Sequence, residues 1–307
     1  MTRRSGRRVL RAAVLFAALP ACAPVAGNLV CTAGPGHTMA PAELEESSGV
    51  AWSHLDPSVV WTVNDGSDGT LFALDTLGVE VGRFSTRGGR RLRDVEAMAS
   101  GPCGDERCLY IGDTGDNVER RNTVAILRVR EPDPRAPGER LRREAFRIRY
   151  PDGPQDVEAM FIVPEEGLYL VGKGRSKAPT VYRYPGAFTS DSTVTLERVQ
   201  SLGMGRRSRR DMVTGAAWVP GTDQVLIRTY SDLEAYRLVG GKLEPVPEGV
   251  LSLGPLQEPQ GEAVAAHPDG RIVLTTEAGP FRDLSALHVL RCDILETPPA
   301  EGAVGSH

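Results

Sequence analysis

One strand-turn-strand unit recurs five times along this chain, its strands are β-branched and aromatic, and no helical period of comparable length interrupts them. Those three observations predict an all-β fold, a β-propeller with five blades favoured and six as the alternative. The unit opens on a short apolar run of small residues: Ser48-Gly49-Val50-Ala51-Trp52, Glu96-Ala97-Met98-Ala99, Glu158-Ala159-Met160-Phe161, Thr214-Gly215-Ala216-Ala217-Trp218 and Glu262-Ala263-Val264-Ala265. Successive openings lie 48, 62, 56 and 48 residues apart, the spacing of propeller blades.

Each opening is followed by a polar turn, at Leu55-Asp56-Pro57, 101–107, Pro164–Gly167, Pro220–Asp223 and Pro268-Asp269-Gly270. Such turns link two strands. The second strands read Val59–Val63, Leu109–Ile111, Leu168–Val171, Val225–Ile227 and Ile272–Leu274, and third strands follow at Leu71–Leu74, Val124–Val129, Val181–Tyr184, Leu233–Leu238 and Leu287–Leu290. The fifth unit lacks an obvious fourth strand, since only a proline-rich tail, Thr297-Pro298-Pro299, follows it. Asn28–Thr32 is the expected replacement, which would close the ring and remove its exposed edges. A β-sandwich is the structural alternative.

The first residues carry Arg3, Arg4, Arg7, Arg8 and Arg11 and then an apolar run from Ala12 to Leu19, too short to span a membrane. They read as a signal peptide over 1–21. Leu19-Pro20-Ala21-Cys22 resembles a bacterial lipobox with Cys22 as the lipidated residue, so the expectation is a cell-envelope lipoprotein, with a secreted soluble form as the alternative. Residues 22–44 form an N-terminal segment holding the closing strand, 45–293 the propeller and 294–307 a flexible tail. Removing 1–21 takes five basic groups and no acid from 36 Lys+Arg and 40 Asp+Glu, deepening the net charge from −4 to −9. That charge argues against a nucleic-acid partner. In an oxidising compartment the remaining cysteines pair as Cys103 with Cys108, across a hairpin, and Cys31 with Cys292, across the closure.

Because first and second strands run antiparallel, the start of one and the end of the other meet at one mouth of the channel. Acids gather at the starts (Glu46, Asp94, Glu96, Asp156, Glu158, Asp211, Glu262), and polar groups at the ends (Asn64, Asp65, Asp113, Asp116, Asn117, Lys173, Arg228, Glu277). Glu96, Asp113, Asp116, Asn117, Glu158, Lys173, Arg228, Glu262 and Glu277 are therefore candidate ligand-binding residues. Acids at strand starts also cap turns, which is the competing reading. Several carboxylates facing one centre call for a cation, and Glu96, Asp113, Glu158 and Glu262 are the expected ligands of Ca²⁺, the only cofactor expected. Arg87, Arg90, Arg91 and Arg93, and Arg206, Arg207, Arg209 and Arg210, stand before the same mouth, where guanidinium groups suit a small anionic molecule. No serine-elbow, HExxH, P-loop or dinucleotide motif is present, and catalytic residues are not assigned. A monomer is expected, touching a membrane only through an N-terminal lipid, with a protein partner as the other class of ligand.

The stretches Asp94–Met98, Leu109–Asn117 and Gln260–Val264 resemble secreted bacterial propeller proteins and, more distantly, the esterase-like phytase and β-propeller phytase group, over about residues 45 to 293. That resemblance implies a calcium-dependent phosphoester site in the channel, carried by Glu96, Asp113, Asp116, Glu158 and Glu262, with Lys173 the one match to the group's substrate-binding lysines. Three functions follow: an acidic-mouth binding propeller, a calcium-dependent phosphoester hydrolase, and an interaction scaffold.

Overall fold

The computed structural model describes residues 23–25, 29–66, 69–88, 91–136, 138, 140–279 and 284–293. The expected signal segment, Cys22, Asn28, Arg90 and the tail 294–307 lie outside the described residues. Three short strands come first: β1 (Ala23–Val25), β2 (Cys31–Ala33) and β3 (His37–Thr38). Four antiparallel meanders follow, beginning with β4 (Ser47–Trp52), β5 (Val59–Asn64), β6 (Leu71–Asp75) and β7 (Glu80–Arg87), then β8 (Ala97–Cys103), β9 (Glu106–Asp113), β10 (Val124–Arg130) and β11 (Arg140–Arg149). The third comprises β12 (Val157–Val163), β13 (Gly167–Gly172), β14 (Thr180–Arg183) and, after the two-residue β15 (Val194–Thr195), β16 (Glu197–Ser201). The fourth is β17 (Val213–Trp218), β18 (Gln224–Thr229), β19 (Asp232–Val239) and β20 (Lys242–Ser252). A last meander, β21 (Gln260–Ala266), β22 (Arg271–Glu277) and β23 (Ala286–Cys292), receives β2 on its outer edge, and with β1 paired to β2 and β3 to β23 it becomes a six-stranded sheet.

The fold is a β-propeller: each inner strand packs on the inner strands of both neighbours, in the order β4, β8, β12, β17, β21, and β21 returns to β4. Burial explains why sequence picks these strands out. Inner and second strands are covered on both faces and read as continuous apolar runs, as in β12, where every residue is buried. Outer strands are covered on one face only and alternate, as in the end of β11, Phe146-Arg147-Ile148-Arg149. Their arginines and glutamates also blunt the outer edges against pairing with another chain.

Closure differs slightly from expectation. The closing strand is Cys31–Ala33 rather than 28–32, because the ladder that β23 offers is filled by Cys31, Thr32 and Ala33 opposite Cys292, Arg291 and Leu290. Cys31–Cys292 and Cys103–Cys108 are both disulfides, the first across that ladder and the second within the β8–β9 hairpin. Units one and two are also tied at their rims: β7 pairs in parallel with β11, Ser85 opposite Arg140. Among the described residues no helix is long and apolar enough to cross a membrane.

Candidate functional site

The repeat openings owe their chemistry to a backbone irregularity. In four units the inner-strand ladder skips one residue, between Ser47 and Gly49, Val157 and Ala159, Val213 and Gly215, and Gly261 and Ala263. The skipped residues are Ser48, Glu158, Thr214 and Glu262. A β-bulge leaves its extra residue unpaired and re-aims the side chain. In unit two the corresponding residue is Glu96, which lies one residue before β8 and donates its backbone N–H to Gly112. Ser48, Glu158 and Thr214 line a void of about 10 Å³ on the axis. Below it the channel is shut by Val50, Met98, Met160, Ala216 and Val264, each two residues on from its bulge position. Inner-strand glycines make this closeness possible, since a Cβ on Gly49 would sit 2.7 Å from the backbone nitrogen of Met98 and one on Gly215 would sit 2.9 Å from the carbonyl oxygen of Glu262.

Most acids at this mouth have an internal partner. Glu158 is 2 % exposed and forms an ion pair with Lys173 from the end of β13. Burial pushes the Glu158 carboxyl up, while Glu158, Tyr230 and Asp156 hold Lys173 above its ordinary value despite its own desolvation. Asp156 binds Arg175 at 3.0 Å through one oxygen and accepts the Asp116 N–H at 3.0 Å through the other. Asp113 is fully buried, paired with Arg121 at 2.6 Å, and accepts the N–H groups of Arg93 and Asp94. Asp116 accepts the Arg121 N–H, and Asn117 accepts Arg175. Asp113, Asp116 and Asn117 therefore order the 113–121 loop and bind it to unit three. Arg228 is also inward-facing and committed, donating to the carbonyls of Ala263 and Thr275 and pairing with Glu258. Glu262 and Glu277 share the Gln260 amide, at 2.9 and 2.6 Å. Burial and the nearby Glu46 and Asp65 push Glu277 up to about 7.

One group of acids is treated differently. Carboxylate oxygens of Asp65, Asp94 and Glu96 all lie within 4.8 Å of one another, and among the described residues no arginine or lysine forms an ion pair with any of them. Burial, Asp94 and Glu46 push Asp65 up to about 6. Asp94 is raised mainly by burial, with Arg121 opposing, and Glu96 is raised well above the carboxylate range by burial and then by Glu158, Asp65, Asp94 and Glu262. Of the four metal ligands expected from sequence, Glu96 alone belongs to this cluster. Glu158 and Asp113 are turned to their basic partners, and Glu262 to an amide. Asp65 and Asp94 were visible in the sequence as acids at a strand end and a strand start, and what the linear sequence lacks is the pairing that brings the end of unit one against the start of unit two. The exposed arginines Arg87, Arg91, Arg93, Arg206, Arg209 and Arg210 stand in the chain segments leading to the mouth, and Arg207 reaches Glu234 at 3.4 Å.

No family model matches the chain, and no curated protein matches it. Among solved structures it is similar to the pyrroloquinoline-quinone-bound aldose sugar dehydrogenase of Streptomyces coelicolor, at 12% identity over 87% of this chain and 100% of that one, with a TM-score of 0.48. It is also similar to a 6-phosphogluconolactonase-type protein of Bacteroides uniformis, at 12% identity over 84% and 77% of the two chains with a TM-score of 0.38. The β-propeller domain of Cps50 (Swd1) from Myceliophteria thermophila is similar at 12% identity over 80% and 83%, with a TM-score of 0.39.

Proposed function

We propose that this protein is an exported binding propeller whose acidic mouth holds a divalent cation, Ca²⁺, on Asp65, Asp94 and Glu96, and through it a small anionic ligand. The observation that supports this reading is the difference in treatment: Asp113, Asp156 and Glu158 each form an ion pair, and Asp65, Asp94 and Glu96, close enough to repel one another, form none among the described residues. An all-carboxylate donor set suits a hard cation and not zinc. Calcium takes about six to eight oxygen ligands, so three side chains leave positions for an anion that the exposed arginines near the mouth would also attract.

The hydrolase reading draws less support, because Lys173, Arg121, Arg175 and Arg228 already neutralise acids or bind carbonyls and none is left to hold a phosphoryl group within the channel. Thermal melts with and without millimolar calcium test the proposal. Wild type should gain stability by mass action, and an Asp94→Asn, Glu96→Gln variant should lose that gain. The gain should also shrink at pH 5, where Asp65 and its neighbours hold protons that calcium must displace. A wild type whose melting temperature ignores calcium at pH 8 would sink the reading.

A further inference from the structure

The end of the axis opposite the acids opens into a cavity of about 460 Å³. Its floor is the ring of Val50, Met98, Met160, Ala216 and Val264, and its wall includes Trp52, Phe161, Ile162 and Trp218. One proline from each unit lines it, Pro57, Pro164, Pro220 and Pro268 from first turns and Pro102 from the end of β8. A proline holds its turn near one backbone conformation, so the rim is set before anything binds. A cavity of this size with a largely apolar lining matches sites for small molecules, typically about 300–1,000 Å³.

The charge of the lining is the second observation. In a chain with 40 Asp+Glu, no acidic residue lines this cavity, while Arg107, His54 and His267 do. Arg107 is exposed, and no carboxylate among the described residues pairs with its guanidinium. The nearest buried acid, Glu131, is spent elsewhere, accepting from Ser53 Oγ, the His54 N–H and Trp61 Nε1. His267 is held by Asp269, with Nδ1 2.8 Å from a carboxylate oxygen.

Trp52 supplies the third. It is 5 % exposed, its ring lies between the Arg271 guanidinium at 4.5 Å and the His267 ring at 5.0 Å, and its Nε1 has no hydrogen-bond partner. A buried N–H without an acceptor is costly and rare. That nitrogen is sealed from solvent, so what Trp52 offers the cavity is the surface of its ring.

We propose that this funnel is a second binding site, for a small organic acid with an apolar, ring-sized body. The body would rest on the methionines, Phe161 and the Trp52 ring, and the carboxylate would face Arg107. None of Asp65, Asp94 and Glu96 lines this cavity, so the two sites share no proposed ligand residue.

Isothermal titration with 2-naphthoate and its uncharged twin 2-naphthamide tests the assignment, with tryptophan emission as a second readout. Naphthoate should bind saturably at one site, and the amide about tenfold more weakly, the worth of one charge-assisted hydrogen bond. Arg107→Gln should bring the two affinities together, and Trp52→Phe should weaken both. The Asp94→Asn, Glu96→Gln variant should bind naphthoate as wild type does, so failure of either site is read separately. Absence of saturable binding at millimolar naphthoate, more than one site, or equal affinity of wild type for acid and amide would each overturn the proposal, without reference to how any variant folds.

Discussion

At one end of the axis the inner strands present Ser48, Glu96, Glu158, Thr214 and Glu262, and four residues further along the same strands present Trp52, Ser100, Ile162, Trp218 and Ala266. The backbone separates them. At the first end a bulge releases the side chain from the ladder in four units, and the polar groups so released must be matched by partners from other strands. At the second end the ladder is regular, four of the five residues are apolar, and packing does most to close the wall. The comparison teaches that the two mouths of one ring of strands differ in what holds them: specific ion pairs at one, contact area at the other.

The largest way to break that contrast is to remove a single basic group at the acidic end. Lys173→Met strands the Glu158 carboxylate in a site 2 % exposed and should cost about 3–5 kcal/mol in urea unfolding, while adding Glu158→Met should return most of it. If the single variant unfolds like wild type, the acidic end is not held by its ion pairs. Next comes the frame that both ends share. Cys31→Ser with Cys292→Ser should cost about 2–4 kcal/mol and weaken binding at both mouths, whereas Cys103→Ser with Cys108→Ser removes a bond that closes a loop of only a few residues and should cost less.

A smaller effect separates the mouths by pH. Asp65, Glu277 and Glu96 have folded-state pKa values above their unfolded ones, so the folded chain binds more protons than the unfolded chain as pH rises from about 4 through 7. Stability contributed there is greatest at the acid side of that range and falls as pH climbs. The melting temperature without calcium should therefore drop by a few degrees between pH 5 and pH 8, and calcium should remove the drop. The smallest effect belongs to the apolar end: Trp52→Phe deletes an N–H that has no partner, and should cost only the packing of the lost ring, about 1 kcal/mol. A larger loss would mean that Trp52 anchors the ring rather than serving the cavity.

Much of this was legible in the sequence because burial writes itself into local composition. The Glu158-Ala159-Met160-Phe161 opening, its Pro164 turn and its Leu168–Val171 partner all lie within a few residues, and so do the two cysteines of the β8–β9 hairpin. The Cys31–Cys292 pair is remote, yet a missing outer strand pointed to it. What sequence could not supply was which acid meets which base. Lys173, Arg228 and Asp113 each read as channel groups facing a ligand, and each is instead consumed by a neighbour set by strand pairing and loop path. The apolar funnel had a signal that went unused, a proline in or beside the first turn of every unit, because each proline alone reads only as turn chemistry.

Ring closure also imposes an order in time. Cys31 is made 261 residues before Cys292, and at about 5–20 residues per second that interval is roughly 13–50 seconds of synthesis. Throughout it β2 has only β1 to pair with, and unit five cannot be completed until the last described strand arrives. The thiol of Cys31 is thus without its native partner for that whole interval, within reach of whichever oxidant or wrong cysteine it meets first. A chain cut short before β23 cannot bury it at all, which makes the Cys31–Cys292 bond a mark that only a full-length ring can carry.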